Sequence, residues 1–296
     1  MLERGAVEEG LCWDMSGVTE ANHLFYTQQP PEAVEFELAT ATTLASMFSG
    51  SSLFNQPVAL TGLGNAVSTV SMFGTATAFN SPIWLEGLGS TGKWTNAAAM
   101  FKNAWAFNQP IDALGDTSAV TNFGSMFEEA RMFNQPVTVL DTSSATTMAS
   151  MFRGVSRSFN QPIDHFLTAN VVSFSSFFGL RNDAFNQPMG GWDTSSATSM
   201  DSMFKDVRGF NQYIGGWDTS KVVTVSEMFT KADSFNQPIG EWNTSSATNM
   251  QFMFSVASSF NQPIESWDTS SVTTMREMII MHLSLNRSSQ RGMCAR

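Results

Sequence analysis

Residues 235–254 read FNQPIGEWNTSSATNMQFMF, and nearly the same string returns, lightly edited, along most of the chain. Its Phe-Asn pair begins at Phe54, Phe79, Phe107, Phe133, Phe159, Phe185, Phe210, Phe235 and Phe260, in steps of 25, 28, 26, 26, 26, 25, 25 and 25 residues. Eight of the ten prolines sit just behind that pair. A Met-Phe anchor precedes it by six or seven residues, at Phe48, Phe73, Phe101, Phe127, Phe152, Phe204, Phe229 and Phe254, with Phe177-Phe178 as a variant. A third anchor follows seven residues later and is Leu114, Leu140, Phe166, Trp192, Trp217, Trp242 and Trp267. An internal period of this length is the mark of a repeat architecture.

One unit, residues 185–209, is FNQPMGGWDTSSATSMDSMFKDVRG. Pro188 holds the residue before it in extended geometry, and Gly190-Gly191 permits a turn. Asp193-Thr194-Ser195 supplies helix N-cap residues. Ala197, Met200, Met203 and Phe204 then fall at i, i+3, i+6 and i+7, the spacing of one helix face. The expected unit is one short extended segment and one short helix per coil of about 25 residues. Six core side chains per unit recover less free energy than ordering the backbone costs, so a unit cannot fold alone. Stacked units shelter one another, and the expected fold class is an α/β repeat solenoid. The array threads from Trp13 to Met278 as a single body, with residues 1–12 expected as a disordered leader and 279–296 as a non-repeat basic tail.

Net charge of −11 argues against nucleic acid and anionic membranes, both of which need Lys and Arg. No apolar run approaches the ~20 residues of a membrane span, and the opening MLERGAVEEGLCWD lacks the apolar stretch of a secretory signal. Two cysteines, Cys12 and Cys294, are expected as free thiols, outside any disulfide framework or metal cluster.

The pattern MFxxAxxFNQPIxxWDTSxVTxM, clearest at residues 260–275 as FNQPIESWDTSSVTTM, resembles the bacterial-surface-protein-A-like leucine-rich-repeat family and, more closely, the Mycoplasma-type 25-residue repeat. The resemblance covers about residues 13–278. It implies a leucine-rich-repeat-like curved solenoid on a secreted or cell-surface protein, used for adhesion to a protein or glycan surface, and brings no catalytic, cofactor or metal residues. The array starts in mid-repeat and leaves the pattern at Ile279, which suggests a fragment or a misjudged boundary.

Repeated polar columns are the candidate sites. Asn55, Asn80, Asn108, Asn134, Asn160, Asn186, Asn211, Asn236 and Asn261 are expected to stack as an amide ladder inside the turn. Asp116, Asp141, Asp193, Asp218 and Asp268, with Asn243 once in their place, could line up carboxylates for Ca²⁺. Capping of their own helices is the expected role, since Asn serves there as well. Thr142, Thr194, Thr219, Thr244 and Thr269 form a hydroxyl row of the kind ice-binding faces use, although local bonding at a helix start accounts for it. His23, His165 and His282 stand far apart, and Asp164-His165 is the one acid–His neighbour pair. The longest step contains IWLEGLGSTGKW, residues 83–94, whose Trp84 and Trp94 could anchor a partner. Asn243 and Asn286 head sequons.

A periodic surface suits extended contact, whereas catalysis needs a unique constellation. The expectation is therefore a non-enzymatic scaffold for protein or cell-surface interactions, with no cofactor. The alternatives are a carbohydrate-active enzyme or an ice-binding protein. The enzyme would need convergence among the acids that break the repeat: Glu86, Asp112, Glu128, Glu129, Asp183, Asp201 and Asp206.

Overall fold

The computed structural model describes residues 15, 17–28 and 33–279. The leader, Trp13 at the start of the array, residues 280–296 of the basic tail, both cysteines, His282 and the Asn286 sequon lie outside the described residues.

The chain is a repeat protein whose units lie one on the next. A column of parallel single-residue bridges runs from Glu20 through Thr43, Ser68 and Asn96, then coil by coil to Asn249 and Thr274. At one N-terminal side three coils add a parallel sheet, β1 (Val34–Glu37), β2 (Val58–Thr61) and β3 (Ile83–Leu85), in the order β1-β2-β3. Val34 pairs with Val58 and Val58 with Ile83, so the β-branched residues point into the core in register. Later coils replace this β-branched stretch with Ile-Gly-Gly-Trp-like sequences. There the chain turns instead, with the Trp217 N–H on Ile214 O and the Trp242 N–H on Ile239 O.

The expected helix in each coil does not form. Helical elements among the described residues are two single 3₁₀ turns, Leu63–Asn65 and Asp112–Leu114. The Met-Phe segment is instead a ribbon of consecutive tight turns. In one coil the N–H groups of Met47, Ser49 and Ser51 bond back three residues, to Leu44, Ser46 and Phe48 carbonyls. The alternate N–H groups, of Leu44, Ser46, Phe48 and Gly50, reach Ser68, Val70, Met72 and Gly74 carbonyls in the next coil at 2.8–2.9 Å. Positive φ at Ser46 (55°) and Gly50 (75°) places the left-handed residue at the third position of two of these turns, as type II turns require. The same pair of positions recurs at Ser125 and Glu129, Ser202 and Asp206, and Glu227 and Lys231. A helix would close its hydrogen bonds within itself. The ribbon spends half of its donors on the neighbour, and that joins the stack.

The core follows the anchors. Ala197, Met200, Met203 and Phe204 are buried as the spacing required, although on turns and not on a helix. Within a coil the Met-Phe ring meets the Phe-Asn ring at 3.9–4.9 Å, for example 4.1 Å at Phe204–Phe210 and 4.0 Å at Phe229–Phe235. Between coils the rings repeat at 5.7 Å (Phe204–Phe229) and 5.6 Å (Phe229–Phe254). Trp192, Trp217, Trp242 and Trp267 form a third column at 6.3–6.4 Å. Each indole N–H is satisfied at 3.1 Å by a carbonyl of the coil before it, such as Ile214 O for Trp242.

Candidate interaction surface

The polar columns wire one coil to the next. The Oδ1 of Asn186 accepts the backbone N–H of Asn211 at 2.9 Å, and Oδ1 of Asn211 accepts that of Asn236 at 2.9 Å. Gln212 and Gln237 donate Nε2 to the carbonyls of Asn186 and Asn211, both at 2.9 Å. The ladder is thus amide to backbone and lies at the surface, in contrast to the internal amide-to-amide stack expected from the sequence. Backbone N–H groups at this Pro-bearing edge have no strand partner, and the side-chain oxygen takes their place.

The Thr row is internal. Thr142, Thr194, Thr219 and Thr244 are buried, while Thr269 in the last complete coil is exposed. The hydroxyls of Thr194, Thr219 and Thr244 donate to Asp218, Asn243 and Asp268 carbonyls at 2.8–2.9 Å. This column therefore turns no hydroxyl face to water over coils where Thr is buried.

The Asp row caps turns. Asp116, Asp141, Asp193, Asp218, Asn243 and Asp268 each accept, through Oδ1, the N–H of the Ser two residues on, at 2.8–3.1 Å. Ser hydroxyl and backbone donors hold the carboxyls of Asp193, Asp218 and Asp268 below the ordinary Asp value. Asp116 is lowered in the same way, first by the Ser118 backbone N–H. Among the described residues, no three His, Cys, Asp or Glu side chains approach closely enough to hold a metal ion.

Five of the seven acids that break the repeat are drawn to cations or hydroxyls. Glu128 is buried between Lys102 at 2.9 Å and Arg153 at 2.8 Å, one coil to either side. Burial pushes its carboxyl up, but the hydrogen bonds from Lys102 and Ser125 and the two positive charges outweigh it and leave the pKa below the ordinary Glu value. Asp206 and Asp183 share Arg208, at 3.1 and 3.8 Å. Asp201 accepts from Ser175 and Ser199. Glu86 follows β3, and Asp112 opens the second 3₁₀ turn. His165 sets Nε2 3.3 Å from Val137 O, and His23 packs edge-on to Tyr26.

The two tryptophans of residues 83–94 part company. Trp94 is fully buried, with Nε1 donating to Thr69 Oγ1 at 3.1 Å, and belongs to the core. Trp84 faces outward from β3, 39% exposed, beside Ala59 of β2.

A cluster that the sequence reading missed lies at the bend just before the Phe-Asn pair. Trp105 is 43% exposed and Met132, in the next coil, 60% exposed, with the Met132 N–H on Trp105 O at 3.1 Å. Arg131 covers the indole with its guanidinium 4.4 Å from the ring centroid and binds Glu129 at 3.1 Å. Leu53 is 70% exposed at the same bend two coils away. Trp, Met and Arg are the residue types enriched at protein interfaces. Column alignment could have found the cluster, because Trp105 stands where other coils carry Ser52, Thr77 and Ser258.

A family model described as a Mycoplasma protein of unknown function, DUF285, matches residues 5–114, 87–181 and 175–291. No curated protein matches the chain, and no solved structure does.

Proposed function

The chain belongs to the DUF285 family of Mycoplasma proteins of unknown function, and from that premise we propose that it is a non-enzymatic adhesion-type scaffold. In this reading it is a leucine-rich-repeat-like solenoid, exported to the cell surface, that binds a protein or glycan surface through the bend carrying Trp105, Arg131 and Met132. The observation that carries the reading is this exposed Trp–Arg–Met cluster on an otherwise regular array. Repetition supports it as well, because each coil delivers one equivalent side chain to the same column, as extended contact requires. Of the irregular acids, Asp183 and Asp206 do converge, but on the cation Arg208, and Glu128 is likewise held between Lys102 and Arg153, an arrangement of ion pairs that supports the scaffold reading.

The test is binding of the full chain to immobilised glycans and to cell-surface proteins, comparing it with Trp105→Ala/Met132→Ser. The reading expects a ligand whose affinity falls about tenfold or more in the double variant, the scale of one lost anchor of about 1.4 kcal/mol, with the fold unchanged by circular dichroism. Equal binding by the two proteins contradicts the surface assignment. Shortening of a polysaccharide during the assay contradicts the non-enzymatic reading.

A further inference from the structure

At one position in six of seven successive coils the chain writes Asp116, Asp141, Asp193, Asp218, Asn243 and Asp268, the exception being the coil of Phe166. What the fold asks of this position is a single acceptor oxygen, Oδ1, for the N–H two residues on. Asn243 meets that requirement at 3.1 Å and brings something Asp lacks, an amide nitrogen that the turn does not use. Asn243 and Ser245 are both exposed, while Thr244 between them is buried and donates to Asp268 O at 2.8 Å. Ser245 also donates its hydroxyl to Asn243 Oδ1 at 2.7 Å. The segment Asn243-Thr244-Ser245 therefore presents an Asn-X-Ser triplet whose Asn is exposed, with its acceptor oxygen occupied and its amide nitrogen unused by the turn. Among the described residues it is the one triplet of this form.

We infer that Asn243 is an N-glycosylation acceptor, modified by an oligosaccharide delivered on a lipid pyrophosphate. The inference rests on the export proposed above, since such donors act in secretory compartments. In the transfer Nδ2 forms a bond to C1 of the first sugar as the C1–O bond to the pyrophosphate breaks. The lipid pyrophosphate leaves with that electron pair, and the proton lost from Nδ2 passes to the transferase. Neither atom the fold depends on is consumed, because Oδ1 stays free to accept from Ser245. Acceptor Asn residues need a surface position that can carry a bulky, solvated chain, and Asn243 is exposed, as are Asp218 and Asp268 at the same position in the coils to either side. The glycan would stand on the acidic bend after the Trp anchors. The other bend, with Trp105 and Met132, stays bare for a partner.

The experiment imports the full chain, fused to a cleavable secretory signal, into microsomes competent for N-glycosylation, and reads mass on the protease-protected fraction. Asn286→Gln in every protein removes the second sequon. The inference expects one glycan on this background, sensitive to peptide N-glycosidase. It expects none in Asn243→Asp, which keeps the turn acceptor, loss in Ser245→Ala, and retention in Ser245→Thr. Imported chain without a glycan overturns it, and so does a glycan that survives Asn243→Asp. Because the signal is supplied, the result is independent of whether the Trp105 surface binds anything.

Discussion

Arg131 lies over Trp105 across the boundary between two coils, its guanidinium carbon 4.4 Å from the ring centroid. Trp105 is 43% exposed and the Arg131 side chain 56%, so the contact between them is only half shielded from water and contributes little to folding. Cation–π pairs at exposed sites are worth ~0.5–1 kcal/mol. Trp105→Ala is expected to lower stability by no more than about 1 kcal/mol in denaturant unfolding. A double-mutant cycle with Arg131→Ala should return a coupling of ~0.5 kcal/mol. A loss above ~3 kcal/mol would mean that Trp105 is a core residue, as its buried counterpart Trp94 is.

Phe204 sits at the centre of the stack, 4.1 Å from Phe210 and 5.7 Å from Phe229, and is fully buried. Truncating it opens a void that aromatic neighbours on both sides cannot fill. Phe204→Ala is expected to cost ~3–5 kcal/mol, measured by urea unfolding. Because each coil touches only its neighbours, the loss should appear first as local exchange of amides in the adjoining coils.

Ser202 carries φ of 54° in the Met-Phe ribbon. A left-handed residue with a Cβ costs ~1–2 kcal/mol, and glycine avoids that at an entropic cost of ~0.5–1 kcal/mol. Ser202→Gly is therefore expected to leave stability unchanged or raise it by ~0.5 kcal/mol. On a helix the same change would cost about 1 kcal/mol. The sign of the shift in unfolding midpoint separates ribbon from helix.

The carboxyls of Asp116, Asp193, Asp218 and Asp268 are held below their ordinary value of 3.8 by Ser donors. As pH falls through 3.8 the unfolded chain takes up these protons before the folded one does. Their contribution is fully present above that pH and is lost as pH drops through the folded values. Unfolding midpoints should be level with respect to these groups at neutral pH and decline below about pH 4. Asp218→Asn, which copies the native Asn243, should make that decline shallower. An unchanged acid limb would remove Asp218 from the account.

The repeated anchors carried most of the fold in plain sight. Phe, Met and Trp at fixed intervals marked the core columns, and the buried set Ala197, Met200, Met203 and Phe204 was readable from spacing alone. The backbone that delivers them was not. Successive tight turns and a helix both bring every third or fourth residue inward, so i, i+3, i+6 and i+7 cannot tell them apart. Glycine at every left-handed position would have given the ribbon away, but apart from Gly50 and Gly154 those positions hold residues such as Ser46, Ser202, Glu227 and even Phe252. The Asn and Thr columns were recognisable as structural, yet their partners were not, because a carbonyl one coil away leaves no trace in sequence. Trp105 and Met132 escaped notice since neither breaks the anchors. They stand out only when the columns between anchors are compared.

The central claim is that each unit lies directly on the next in parallel register, and engineered disulfides test it most directly. Ser173 and Ser199 are bridge partners in adjoining coils, whereas Ser173 and Thr224 lie two coils apart. Neighbouring backbones ~4.8 Å apart fall within disulfide reach, and a separation of two pitches exceeds the ~7 Å limit. In a Cys12→Ser/Cys294→Ser background, Ser173→Cys/Ser199→Cys is expected to oxidise to an intramolecular disulfide with the fold retained, and Ser173→Cys/Thr224→Cys is expected to stay reduced. Closure of the second pair, or failure of the first in folded protein, would contradict the stacked arrangement.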